Sequence, residues 1–144
     1  MAVHTDDDRL TETDDHVAIG EVLALVGHVF DDGRLDEIGS VFTTDVVYDM
    51  SALGMPVITG IDGARAAAGA MAEHGPVAHL VTNVVVAGRS GDEATVDSKG
   101  LMLMPDGSVT AVVNHDVVRR EPDGWRIAER RIVPARAARA EDAA

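Results

Sequence analysis

From Val77 to Val133 the chain repeats one pattern four times, a run rich in β-branched residues closed by a turn former. The runs are Val77–Ala87, Glu93–Met104, Val109–Arg120 and Trp125–Val133. Between them stand Gly88-Arg89-Ser90-Gly91-Asp92, Pro105-Asp106-Gly107 and Glu121-Pro122-Asp123-Gly124. Such linkers are too short for a crossover helix, so neighbouring strands must run antiparallel. The first half has a different period. Ile19, Val22, Leu23, Val26, Val29 and Phe30 recur at helical spacing, with Thr13 or Asp14 as the starting cap and Gly33 as the stop. A short second helix is expected to carry Leu35, Ile38 and Phe42. Val46–Met50 and Met55–Thr59 read as strands, and Ile61–Glu73 as an alanine-rich helix stopped by Gly75-Pro76. Helices first and a long meander second predict an α+β domain. The sheet is expected to be antiparallel and curved, a cone wrapped around the N-terminal helices with one open mouth.

A chain of 144 residues fits one domain. Residues 1–13 are acidic and aperiodic and read as a disordered tail, 14–134 as the domain, and 135–144 as a flexible C-terminal tail. The formal net charge of -13 argues against a nucleic-acid surface, which needs a basic stripe, and equally against anionic membranes. No cysteine is present, which rules out disulfides, thiolate metal sites and a cysteine nucleophile. No apolar run approaches the ~20 residues needed to span a bilayer. The start lacks a signal-peptide layout, so the cytoplasm is the expected location. Aromatics make up only 3%, so any pocket must be lined mainly by aliphatic and thioether groups.

His79 opens a run of branched apolar residues that has no local need for an imidazole, and Asp31 closes the first helix. In the inferred cone both can point inward. A carboxylate beside a neutral imidazole fixes its tautomer and raises its basicity, which makes a general base. His115 alternates with Val113 and Val117, which predicts burial with them and puts Asn114 and Asp116 on the opposite face. Tyr48 is the only tyrosine, and buried tyrosines usually bond something through the hydroxyl. Met50, Met102 and Met104 are candidates for an adaptable apolar lining. No histidine or carboxylate spacing matches a metal motif and no glycine-rich phosphate loop is present, so neither metal nor cofactor is expected.

Four segments in order resemble the SnoaL-like branch of the nuclear-transport-factor-2-like superfamily, over about Asp15 to Val133. They are Asp31-Asp32-Gly33-Arg34-Leu35-Asp36-Glu37-Ile38, Phe42-Thr43-Thr44-Asp45-Val46-Val47-Tyr48-Asp49, His79-Leu80-Val81-Thr82-Asn83 and Asp123-Gly124-Trp125-Arg126-Ile127. The resemblance implies a cystatin-like α+β barrel. It is nearest the branch of scytalone dehydratase, bile-acid dehydratase and hexachlorocyclohexane dehydrochlorinase, which use an Asp-His dyad to remove a proton next to a leaving group. That implies Asp31 and His79 as the dyad, with Tyr48 and His115 as polar pocket partners. It also implies Arg120 as a pocket cation and places Phe30 where scytalone dehydratase has a tyrosine. Asn83, with Phe30, Met50, Met102, Met104 and Arg120, completes the expected substrate contacts. The implied activity is a cofactor-independent elimination on a small, mostly apolar carbonyl compound, polyketide- or steroid-like. An isomerase or polyketide cyclase in the same pocket is the nearest alternative. A non-catalytic binding module, or an epoxide hydrolase using Asp97 and Asp116 on the sheet, stands further off. The expected partners are the substrate and a second copy docked through the sheet, because Leu101 and Leu103 alternate with Met102 and Met104 and leave both strand faces apolar.

Overall fold

The computed structural model describes residues 6–136, with side chains from residue 12 onward. Helix α1 (Asp6–Asp31) is followed by a 3-10 helix (Leu35–Ser40), β1 (Phe42–Asp49), a 3-10 turn (Ser51–Leu53), β2 (Val57–Thr59) and α2 (Ile61–Met71). The meander is β3 (Ala78–Ser90), β4 (Glu93–Leu103), β5 (Val109–Glu121) and β6 (Gly124–Pro134). The six strands form one sheet in the order β2-β1-β6-β5-β4-β3.

The α+β expectation holds, with three differences in detail. Helix α1 begins at Asp6, well before Asp14. The acidic run read as a tail is therefore helical from Asp6, while residues 1–5 and 137–144 lie outside the described residues. Phe42 opens β1 instead of closing a second helix. The sheet is mixed and unclosed. β1 runs parallel to β6, and β2 and β3 are edges, so the strands form a curved half-cone.

One face of that sheet is covered by α1. Ile19, Leu23, Val26 and Val29 fall on a single helix face and are almost fully buried. They pack with Val41, Phe42 and Val46 from the β1 region and with Val96, Val118, Trp125 and Ile127 from the meander. Burying each such aliphatic side chain stabilises by roughly 1.5–3 kcal/mol. Register shifts in β3, between Thr82 and Val85 and between Val86 and Gly88, mark bulges that bend and twist the sheet around the helix. A third shift lies opposite Val117 and Val118, where Ala128 of β6 is the extra residue. Among the described residues no helix is long and apolar enough to cross a membrane.

Candidate active site

The wide end of the half-cone holds a cavity of about 260 Å³ between the last turns of α1, helix α2 and the inner face of β3–β6. Most of its wall is aliphatic or thioether, from Val26, Met50, Met55, Ile58, Met71, Met102, Val112 and Ile132. The few aromatics gather on one side. Phe30 stands edge-on to His79 at 5.8 Å and 6.1 Å from Phe42, which meets Tyr48 at 5.8 Å.

Asp31 and His79 meet at the rim. Asp31 Oδ1 is 2.6 Å from His79 Nδ1, and the His79 backbone N–H donates to Oδ2 at 3.0 Å. One carboxylate thus holds both ring and backbone of the same residue. Because a carboxylate only accepts, Nδ1 carries the proton of this contact, which leaves Nε2 as the nitrogen facing a ligand. The two side chains retain 20% and 29% exposure, so the dyad is in reach of a ligand. Gly27 makes this contact possible. It lies one helical turn before Asp31, and a Cβ there would be 2.5 Å from the His79 carbonyl oxygen. Only a glycine lets α1 sit this close to β3.

The floor carries a second polar group. Arg130 Nε and Nη2 donate to Asp116 Oδ1 and Oδ2, each at 2.8 Å, with both side chains buried. Tyr48 lies close enough to Arg130 for the two to interact electrostatically. Burial works against the Arg130 charge, but the Asp116 carboxylate outweighs it and holds the guanidinium above its ordinary pKa. Burial pushes the Tyr48 phenol above its usual value, a rise that the Arg130 charge reduces without reversing. Tyr48 therefore remains a protonated donor at neutral pH. Beside it Asn114 donates to Ser98 Oγ at 3.2 Å.

Phe30, Asp31, Tyr48, Met50, His79 and Met102 all lie on the cavity wall. Four expected contacts do not. His115 sits on the outer face, its Nδ1 2.7 Å from Asp97 Oδ1. The alternation of β5 was read with the wrong face inward, since Val112, Asn114, Asp116 and Val118 are the buried set. Asn83 occupies the β3 bulge at φ 54 and accepts from Thr82 Oγ1. The bulge turns it away from the wall, and a short amide side chain tolerates that left-handed backbone. Met104 lies past the end of β4, where its N–H closes the turn with the Ser108 carbonyl. Arg120 belongs to the narrow end. There it and Arg89 pair with buried Asp15 and flank Trp125, whose indole N–H also donates to Asp15. Asp97 and Asp116 stand on opposite faces of the sheet, so they cannot act together on an epoxide.

Arg130, Asn114 and Gly27 are site residues that sequence reasoning missed, and Asp116 was expected only as the partner of Asp97 in an epoxide-hydrolase site. Strict alternation from buried Trp125 and Ile127 points Arg131 inward. The bulge at Ala128 reverses that parity and brings Arg130 and Ile132 in instead. Within the sequence, the signal was the inward set Asn114 and Asp116, already known to share one face.

Residues 11–131 match the model of the SnoaL-like domain. Comparison with curated protein sequences yields no match. Among solved structures, one provisionally described as an aromatic ring hydroxylase from Novosphingobium aromaticivorans is 26% identical, with a TM-score of 0.76 over 87% of this chain and 92% of its own. A protein of the same organism, described as nuclear-transport-factor-2-like with a cystatin-like fold, is 21% identical over 99% and 97%, TM-score 0.77. A third, also from that organism and provisionally described as a scytalone dehydratase, is 18% identical over 92% and 89%, TM-score 0.73.

Proposed function

This chain belongs to the SnoaL-like domain family, and we propose that it is a cofactor-independent lyase acting by proton abstraction on a small, mostly apolar carbonyl compound. The observation that carries the reading is the 2.6 Å contact of Asp31 with His79, on the wall of an apolar cavity. In this reading His79 Nε2 takes a proton from the carbon next to the substrate carbonyl. Charge moves to the carbonyl oxygen, where the Tyr48 O–H and the Arg130 guanidinium meet it. The enolate electrons then expel the β-hydroxyl, which takes the proton back from the imidazolium and leaves as water. One C–H and one C–O bond break and one C=C bond forms, so atoms and charge balance. Asp31 holds the ring in one tautomer and stabilises the imidazolium between the two proton transfers.

The test is turnover on a panel of cyclic β-hydroxyketones. His79→Ala is expected to lower kcat by roughly 10²–10⁴-fold with unchanged circular dichroism. Asp31→Asn should be severe, and the double variant little worse than the poorer single one, because the pair acts as a unit. His115→Ala, on the outer face, should leave turnover unchanged. A fully active His79→Ala protein would refute the reading. Isomerisation or ring closure follows from the same abstraction without a leaving group, and product analysis on that panel separates it from elimination.

A further inference from the structure

Among the described residues, Arg130 is the only cation on the cavity wall. Its charge is already matched. Asp116 lies behind it, away from the wall, and takes two parallel N–H bonds at 2.8 Å. The pair is closed off from water, at 4% and 0% side-chain exposure. At the rim a second carboxylate, Asp31, is paired with the His79 ring. The rest of the wall is apolar or uncharged. The site therefore carries no free positive charge, in a chain whose formal net charge is -13.

We infer that the cavity selects an uncharged carbonyl compound and rejects carboxylates, and that Asp116 sets this selectivity by closing the ion pair with Arg130. The inference rests on the cavity being the substrate site, as proposed above. A carboxylate entering the cavity loses its water and meets no unmatched cation. The spare N–H groups of Arg130 can reach it, but Asp116 already neutralises their charge, so the carboxylate stays a buried and uncompensated charge, a costly arrangement. A neutral carbonyl oxygen needs only donors. The Tyr48 hydroxyl and the spare Arg130 N–H groups are already in place. Without the negative charge behind it, the guanidinium becomes a planar fork suited to a carboxylate. Size narrows the class further. About 260 Å³ lies below the roughly 300–1,000 Å³ of typical drug-sized sites, which restricts the substrate to one or two rings.

The experiment compares two probes of equal ring size, 2-acetylnaphthalene and 2-naphthoate, by calorimetry at pH 7. The wild-type protein is expected to bind the ketone about tenfold or more tightly than the carboxylate. Asp116→Asn should narrow or invert that ratio by about tenfold. The double variant Asp116→Asn with Arg130→Gln, neutral at both positions, should prefer the ketone again. Equal or tighter binding of naphthoate by the wild type, binding of neither probe, or an unchanged ratio in a folded Asp116→Asn protein would each overturn the inference. If Asp116→Asn does not fold, the wild-type ratio and the double variant decide. Charge selectivity is read from wild-type binding and the dyad from turnover of His79→Ala, so failure of the dyad mechanism and failure of the charge selectivity are separate results.

Discussion

Gly27→Ala tests the geometry of the dyad without needing a substrate. The new Cβ would lie 2.5 Å from the His79 carbonyl oxygen, while ordinary contact begins at 3.4 Å. Helix α1 and strand β3 must therefore part by about 0.9 Å, the difference of those two distances. Asp31 is on the same helix face one turn on, so the parting opens its 2.6 Å contact with His79 to about 3.5 Å, beyond a good hydrogen bond. Overpacking of this kind costs about 1–3 kcal/mol. A weakened hydrogen bond to a charged acceptor costs about 1.5–3 kcal/mol. Against this, alanine in a helix gains about 1 kcal/mol over glycine. The expected net loss is about 1.5–5 kcal/mol. Gly20→Ala is the control, on the same helix with nothing within 4 Å of the added carbon. It should be neutral or stabilising by up to about 1 kcal/mol. Urea unfolding gives both stabilities, and ¹⁵N shifts of the His79 ring report whether Nδ1 remains the protonated nitrogen. A Gly27→Ala protein as stable as Gly20→Ala, with the His79 tautomer signal unchanged, would refute the close approach of α1 to β3.

Two further expectations concern stability and assembly. Burial raises the Asp15 pKa, but hydrogen bonds from Trp125 and Arg89 and the charges of Arg89 and Arg120 outweigh it and hold the group below its ordinary value. A depressed folded pKa contributes stability that is fully present above the unfolded value, about 3.9, and is lost as pH falls through the folded value. The urea midpoint of the wild type should therefore fall in acid more steeply than that of Asp15→Asn, and parallel curves would contradict this. On the outer face of the sheet Leu80, Val85, Leu101 and Leu103 are exposed, a patch that a second copy would cover. A homodimer is expected at micromolar concentration, and sedimentation as a 15.1 kDa monomer would refute it.

Much of the fold was legible because secondary structure follows local period. The α1 stripe of Ile19, Leu23, Val26 and Val29 repeats as a helix must, and the four meander strands lie close to where alternation and turn formers put them. His79 was legible too, as a polar residue that its own segment did not require, and Asp31 as its partner through the inferred cone and the family resemblance. Asp6–Thr13 was not, because an acidic run with Leu10 as its one apolar residue has no helical stripe to read.

Local alternation determines which residues share a strand face, but it cannot say which face is inside. That was decided by the side of the sheet on which α1 packs, a contact between segments distant in the chain. It sent Asn114 and Asp116 inward and His115 outward. The bulge at Ala128 then reversed parity halfway along β6, and Arg130 reached the cavity floor against the pattern that starts at Trp125. Pairing Asp116 with Arg130 required both reversals at once. The sequence by itself determined the elements and the chemistry available to them. The tertiary structure determined which of those groups share one water-poor space, because burial and pairing are properties of the assembled sheet and helix and not of any single strand.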